Sequence, residues 1–178
     1  MKKELDMDLN KITTIFFDVD GIFTDGGLYF LDNKVTMTRF NAHDGLGCIL
    51  LKEMGLELLI LTARHSDAVI KRFKDLGINK IFTKVLNKKD FIKNYSIVNK
   101  LKKNELAMVG DDLQDLAAID EVGIFFTTPN AIDEVKKNAI YITKKLGGDG
   151  AVREICDLII TSKGSSSNSE FGHFIEKR

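Results

Sequence analysis

The sequence predicts an α/β fold: a doubly wound parallel sheet with a β-hairpin inserted after the first strand. Three observations predict it. Short apolar runs without polar alternation recur at residues 15–17, 56–61, 106–109 and 123–127, as strands buried on both faces require. Between them lie stretches with apolar residues at helical spacing. Several runs also stop abruptly at acids or hydroxyls. Strands alternating with helices make a right-handed parallel sheet.

Composition sets the bounds. A chain of 178 residues is one domain by size, with room for a real core. The expected division is a single domain over residues 1–163, with the hairpin at about 26–40, and a flexible tail over 164–178, which is rich in serine and poor in apolar residues. Lys+Arg and Asp+Glu are both 26, and this balance argues against a nucleic-acid binder. No apolar run approaches membrane-spanning length, and the first residues lack a signal-peptide core. Cys48 and Cys156 have no metal-site spacing and read as reduced, buried thiols of a cytoplasmic protein.

The elements follow in order. Residues 1–11 are a polar lead-in, and the first strand runs from about 12 to 18. The hairpin has β-prone runs on either side of an Asp32-Asn33 turn and overhangs whatever the first strand presents. Asp44 is placed as the N-cap of a helix carrying Leu46, Ile49 and Leu50, which Gly55 ends. The second strand stops at Thr62-Ala63-Arg64. Ser66 caps the next helix, with Val69, Phe73 and Leu76 inward and Gly77 as its stop. Ile81-Phe82 is a short strand. A helix from about Lys88 turns Phe91, Ile92, Tyr95 and Val98 inward. The strand at 106–109 ends in Gly110-Asp111-Asp112, and Pro129 is expected to open a helix after the strand at 123–127. Residues 147–150 read as a flexible glycine loop. The cleanest amphipathic helix follows, with Val152, Ile155, Cys156, Ile159 and Ile160 on one face.

The chemistry lies at the strand ends. Asp18 and Asp20, Thr62, Lys88, and Asp111 and Asp112 all fall at or just past C-terminal ends, which converge on one edge of a parallel sheet. An unpaired buried carboxylate is costly, so paired acids in such a place call for a hard cation with oxygen ligands, Mg²⁺ above all. Carboxylates, a hydroxyl and a lysine together suit phosphoryl transfer, where a carboxylate nucleophile divides the barrier through an aspartyl-phosphate. Each residue alone has a plainer reading. Asp18 and Asp20 could be an acidic turn, Thr62 a helix-start residue, Arg64 a snorkelling surface side chain, and Lys88 one of many solvated lysines. Asp112 reads best as an N-cap.

The combination Asp18-Val19-Asp20-Gly21, Thr62, Lys88 and Gly110-Asp111-Asp112 with Asp115, in this order, resembles the four motifs of the haloacid dehalogenase superfamily. Residues 18–26, His43-Asp44-Gly45, Thr62-Ala63-Arg64 and 147–154 narrow this to its 3-deoxy-D-manno-octulosonate 8-phosphate phosphatase family. That resemblance implies a cap-less, Mg²⁺-dependent tetrameric enzyme that releases phosphate from a sugar acid for lipopolysaccharide synthesis. It implies Asp18 as nucleophile and metal ligand. Asp20 would be general acid/base, with its carbonyl on the metal, and Asp111 the third metal residue. Thr62, Ala63 and Lys88 would hold the phosphate, supported by Asp112 and Asp115, while Arg64, His43 and Asp44 would meet the substrate. His43 and Asp149 depart from the family's usual basic residues, so a nonulosonate 9-phosphate stays open as substrate. A phospho-accepting signalling domain and a non-catalytic relative are the other classes. Leu28, Tyr29, Phe30 and Leu31 on the hairpin predict self-association, and the resemblance makes the number four.

Overall fold

The computed structural model describes residues 8–31 and 35–177. Six strands form one parallel sheet: β1 (Thr14–Phe17), β4 (Glu57–Leu61), β5 (Ile81–Phe82), β6 (Leu106–Val109), β7 (Ile124–Thr127) and β8 (Tyr141–Ile142), in the order β5-β4-β1-β6-β7-β8. The strand β8 was not foreseen, because two half-exposed residues carry no readable pattern. β2 (Tyr29–Leu31) and β3 (Val35–Met37) pair antiparallel as the expected hairpin; its Asp32-Asn33 turn lies outside the described residues. Among the described residues there is no cap domain. Among those residues, too, no helix is long and apolar enough to cross a membrane.

Register explains why the strands are continuously apolar. Phe16 pairs with Leu59 on one side and Met108 on the other, and these three side chains join the core cluster of one face. Their neighbours Phe17, Ile60 and Val109 join the cluster of the opposite face. Every residue of β1, β6 and β7 thus has a core to enter. Each fully buried Phe or Leu contributes roughly 1.5–3 kcal/mol. The face of Phe17, Ile60 and Val109 is covered by α1 (Ala42–Glu53), α2 (Asp67–Asp75), α6 (Ala151–Ser162) and α7 (Ser167–Glu176), that of Phe16, Leu59 and Met108 by α3 (Lys88–Asn99), α4 (Leu113–Leu116) and α5 (Asp133–Asn138). All five predicted apolar residues of α6 are buried. Ser66 caps α2 through its hydroxyl, which accepts from the Val69 amide.

Several expectations need correction. The segment after 164 is not a loose tail: α7 packs on α1 and α6, with Phe174 against the core and Lys177 reaching Glu53. Its few apolar residues suffice because they fall on one side. Asn41, not Asp44, caps α1, accepting from the His43 amide. Asp44 is buried at the third helical position and accepts at Oδ1 from the Arg153 amide at 2.8 Å, so it caps the start of α6 instead. Burial first of all pushes its carboxyl pKa up, against that amide. Val98 is 78% exposed, since α3 overruns the sheet it covers. Pro129 sits in a turn, and α5 begins only at Asp133. The glycine loop is not free either. Gly147 and Gly148 are wedged against the segment after β1, where a Cβ on Gly147 would lie 1.8 Å from the Gly21 oxygen.

Candidate active site

The strand ends meet in a cleft of about 380 Å³ lined by Asp18, Asp20, Gly26, Thr62, Ala63, Arg64, Lys88, Asp111, Asp112, Gln114 and Asp115. A larger hollow of about 690 Å³ runs along α6, but its acids are already engaged. There Glu154 accepts from Tyr141 and the amides of Lys144 and Lys145, and Arg153 pairs with Asp157. The convergent acids are in the smaller cleft.

The site is built outward from β1. The Asp18 amide donates to the Val109 carbonyl at 2.9 Å, so its backbone is still held by the sheet. Beyond it the chain turns sharply. Thr24 ties this turn, its hydroxyl accepting from the amides of Gly21 and Gly26, both at 3.2 Å. Gly21 has φ +80°, and a Cβ there would lie 1.9 Å from Asp111 Oδ2. Only glycine both takes this backbone and leaves room for that carboxylate. Gly110 does the same for Asp115, whose Cβ would be 2.2 Å from a Cβ at Gly110.

Lys88 is 2% exposed at the first turn of α3, while Lys89 next to it points outward. Its ammonium lies 2.7 Å from Asp18 Oδ1 and is hydrogen-bonded to Asp115 Oδ1. Two of its three N–H donors are thus engaged and one remains for a ligand in the cleft. Both oxygens of Asp115 are engaged, because the other accepts from the amides of Asp111 at 2.9 Å and Asp112 at 3.2 Å. Asp112 caps α4, as predicted. Thr62 is buried at the end of β4, and its hydroxyl accepts from the Arg64 amide at 3.1 Å. Arg64 turns into the cleft, with Nη1 3.4 Å from Asp20 Oδ1.

The remaining predicted residues lie elsewhere. His43 is exposed on the first turn of α1 and Asp44 is inside the protein; neither lines the cleft. Both belong to the run His43-Asp44-Gly45, in which Gly45 is bare because Arg72 lies on it, 2.4 Å from where a Cβ would be. Sequence reasoning missed Asn130, which bonds to both Gly21 and Gly147. An exposed Asn after a proline carries no signal beyond turn chemistry.

Oxygens of Asp18, Asp111 and Asp115 come within 4.8 Å of one another. Three carboxylates against one ammonium leave two negative charges uncompensated if all ionise. Burial, and then the charge of Asp115, pushes Asp18 up to about 8 despite Lys88, because that ammonium is shared with Asp115. Burial, followed by Asp115 and Asp112, pushes Asp111 up to about 7. Burial alone would lower Lys88, yet Asp18 and Asp115 raise it overall, so it stays charged. A buried, oxygen-only, anionic set fits a hard divalent cation such as Mg²⁺. With both Asp115 oxygens engaged by Lys88 and two amides, Asp18 and Asp111 are the carboxylates best placed to hold it.

A prediction follows from the sign of these shifts. Both carboxyls are raised on folding, so without added cation they contribute stability below their ordinary value of 3.8. That contribution is lost as pH rises through about 7 for Asp111 and about 8 for Asp18. A cation replaces the proton. The rise in Tm on saturating with Mg²⁺ should therefore be larger at pH 8 than at pH 6, by about 3 °C or more. A pH-independent rise in thermal melts would put the cation elsewhere.

Comparison with known proteins agrees with this site. Residues 77–155 match the haloacid dehalogenase-like hydrolase family. The 3-deoxy-D-manno-octulosonate 8-phosphate phosphatase of Haemophilus influenzae is 32% identical over 163 residues, covering 89% of this chain and 88% of that protein. The crystal structure of the Moraxella catarrhalis phosphatase of the same name, in complex with magnesium ion, phosphate ion and the sugar acid, superposes with a TM-score of 0.88 at 33% identity, covering 99% of both chains. A cobalt-bound form of the Haemophilus influenzae enzyme gives 0.83 at 31% identity, over 88% of this chain and 92% of that one. By fold, strand-end acids and relatives at this identity, the chain belongs to the haloacid dehalogenase-like hydrolases, in the 3-deoxy-D-manno-octulosonate 8-phosphate phosphatase family.

Proposed function

We propose that the protein hydrolyses 3-deoxy-D-manno-octulosonate 8-phosphate to the free sugar acid and phosphate, with Mg²⁺, through an aspartyl-phosphate on Asp18. The observation that carries this is the buried Asp18–Lys88–Asp115 cluster facing Asp111 across an open cleft. When bound, Mg²⁺ neutralises charge on the phosphoryl oxygens. Asp18 attacks phosphorus, forming a P–O bond as the ester P–O bond breaks. Asp20, which lines the cleft beside Arg64, gives its proton to the departing alkoxide oxygen. It then takes a proton from the water that attacks phosphorus and releases Asp18. The free N–H of Lys88, with the Thr62 hydroxyl and Ala63 at the head of the β4–α2 loop, holds the phosphoryl oxygens. Asp112 and Asp115 keep that geometry by capping α4 and pinning Lys88.

Arg64 reads the substrate's carboxylate. It is partly exposed at the cleft and offers a planar fork suited to bidentate binding. Self-association through the hairpin, as a homotetramer, agrees with the exposure of Leu28, Tyr29, Phe30 and Met37, of which Phe30 is 71% exposed. The free, buried thiols of Cys48 and Cys156 fit a cytoplasmic setting.

Three outcomes test this. Asp18→Asn should leave the thermal melt intact and abolish phosphate release from the sugar-acid ester; substantial residual release contradicts the covalent route. Arg64→Ala should lower kcat/KM for that ester about ten- to a hundred-fold, the equivalent of about 1.5–3 kcal/mol for one charge-assisted contact, and barely change turnover of a small generic phosphate. Equal loss on both would assign Arg64 to the phosphate instead. Light scattering at micromolar concentration should give a tetramer, and a monomer would refute the hairpin interface.

A further inference from the structure

Asp20 stands past the end of β1, where no sheet hydrogen bond reaches. Its loop is held from another strand end. Asn130, in the turn after β7, donates from Nδ2 to the Gly21 carbonyl at 2.9 Å and accepts at Oδ1 from the Gly147 amide at 2.8 Å. The amide fits only one way round, since the reverse would set oxygen against oxygen and N–H against N–H. The same turn also grips the opposite acid loop: the Ile132 amide donates to the Asp111 carbonyl at 3.1 Å. One short turn thus spans the loops that carry Asp20 and Asp111, and Asn130 adds the glycine loop to the bracket.

The contacts have no slack. The two loops touch so closely that Gly147 admits no side chain, since a Cβ there would lie 1.8 Å from the Gly21 oxygen, and Gly21 admits none because Asp111 fills the space on its other side. A shift of either moves the residue next to Gly21, which is Asp20. Asn130 itself is exposed, so water replaces its bonds when it is removed and the fold loses little. The bonds therefore set position more than stability.

We propose that Asn130 is a positioning residue for proton transfer: by holding the Gly21 carbonyl it keeps the Asp20 carboxyl in reach of the leaving oxygen. This rests on the reading of Asp20 as general acid. A displacement of about 1 Å at such a group lowers rates by up to about a hundred-fold.

The test compares kcat/KM for two esters at saturating Mg²⁺. The sugar-acid phosphate needs a proton on its alkoxide; 4-nitrophenyl phosphate expels a stable phenolate and needs none. Asn130→Ala should lower kcat/KM about ten- to a hundred-fold for the first and less than about three-fold for the second. Asn130→Asp keeps an acceptor for Gly147 but faces the Gly21 carbonyl with an anion, so it should do no better. Both variants should melt within about 3 °C of the parent. Equal loss on both esters, unchanged turnover of both, or a large fall in Tm in both variants overturns the proposal. Asp20→Asn is the control. If it shows the selective loss and the Asn130 variants do not, only Asn130's role fails; if it lacks the selectivity, the reading of Asp20 fails and this proposal with it.

Discussion

The architecture depends on one constraint: three carboxylates share a buried space with a single ammonium. Nothing in the core gains from this arrangement, because removing charge from water is expensive unless each group is matched. The protein matches what it can. Asp115 is satisfied by Lys88 and two amides, and this fixes Lys88, which in turn sets Asp18. What stays incompletely matched is the pair Asp18, which shares its ammonium with Asp115, and Asp111, and their raised pKa values express the mismatch. The electrostatic deficit and the affinity for a divalent cation are the same property.

The rest of the molecule positions that deficit. The parallel register carries Asp18 and the Gly110–Asp111 peptide to one edge of the sheet. Past that edge there are no ladders, and closeness is achieved with glycine. Gly21, Gly110 and Gly147 each stand where a methyl group would collide with an acid or with another loop's backbone. Side chains at the bends then replace the missing ladder: Thr24 within the first loop, and Thr127, whose hydroxyl donates to the Gly110 carbonyl at 2.6 Å.

Much of this was legible in the sequence. The continuous apolar runs located β1, β4, β6 and β7, because a strand with core on both sides leaves no alternation to misread. The strand-end acids were legible because burying charge needs a reason, whereas Lys88 stood out from the neighbouring lysines only through the motif resemblance. Less readable were features that depend on three-dimensional neighbours. Asp44 carried a good N-cap signature for its own helix, but Asn41 three residues earlier fills that position and Asp44 caps a helix more than a hundred residues away. The glycine loop resembled a flexible linker, since sequence does not distinguish glycine used for freedom from glycine used for contact. Asn130 gave no signal, because its partners are two backbone groups contributed by other loops.

Both borders of the sheet are two residues long: Ile81–Phe82 in β5 and Tyr141–Ile142 in β8. A border strand normally offers a row of free amides and carbonyls on which a second chain, native or misfolded, can crystallise as an added strand. Here the row is too short to hold a registered partner. The interior strands, which are the most aggregation-prone stretches of this sequence, are thereby sealed behind ends that do not propagate. Strand length, and not charge, thus limits growth at the sheet edges of a chain whose formal net charge is zero.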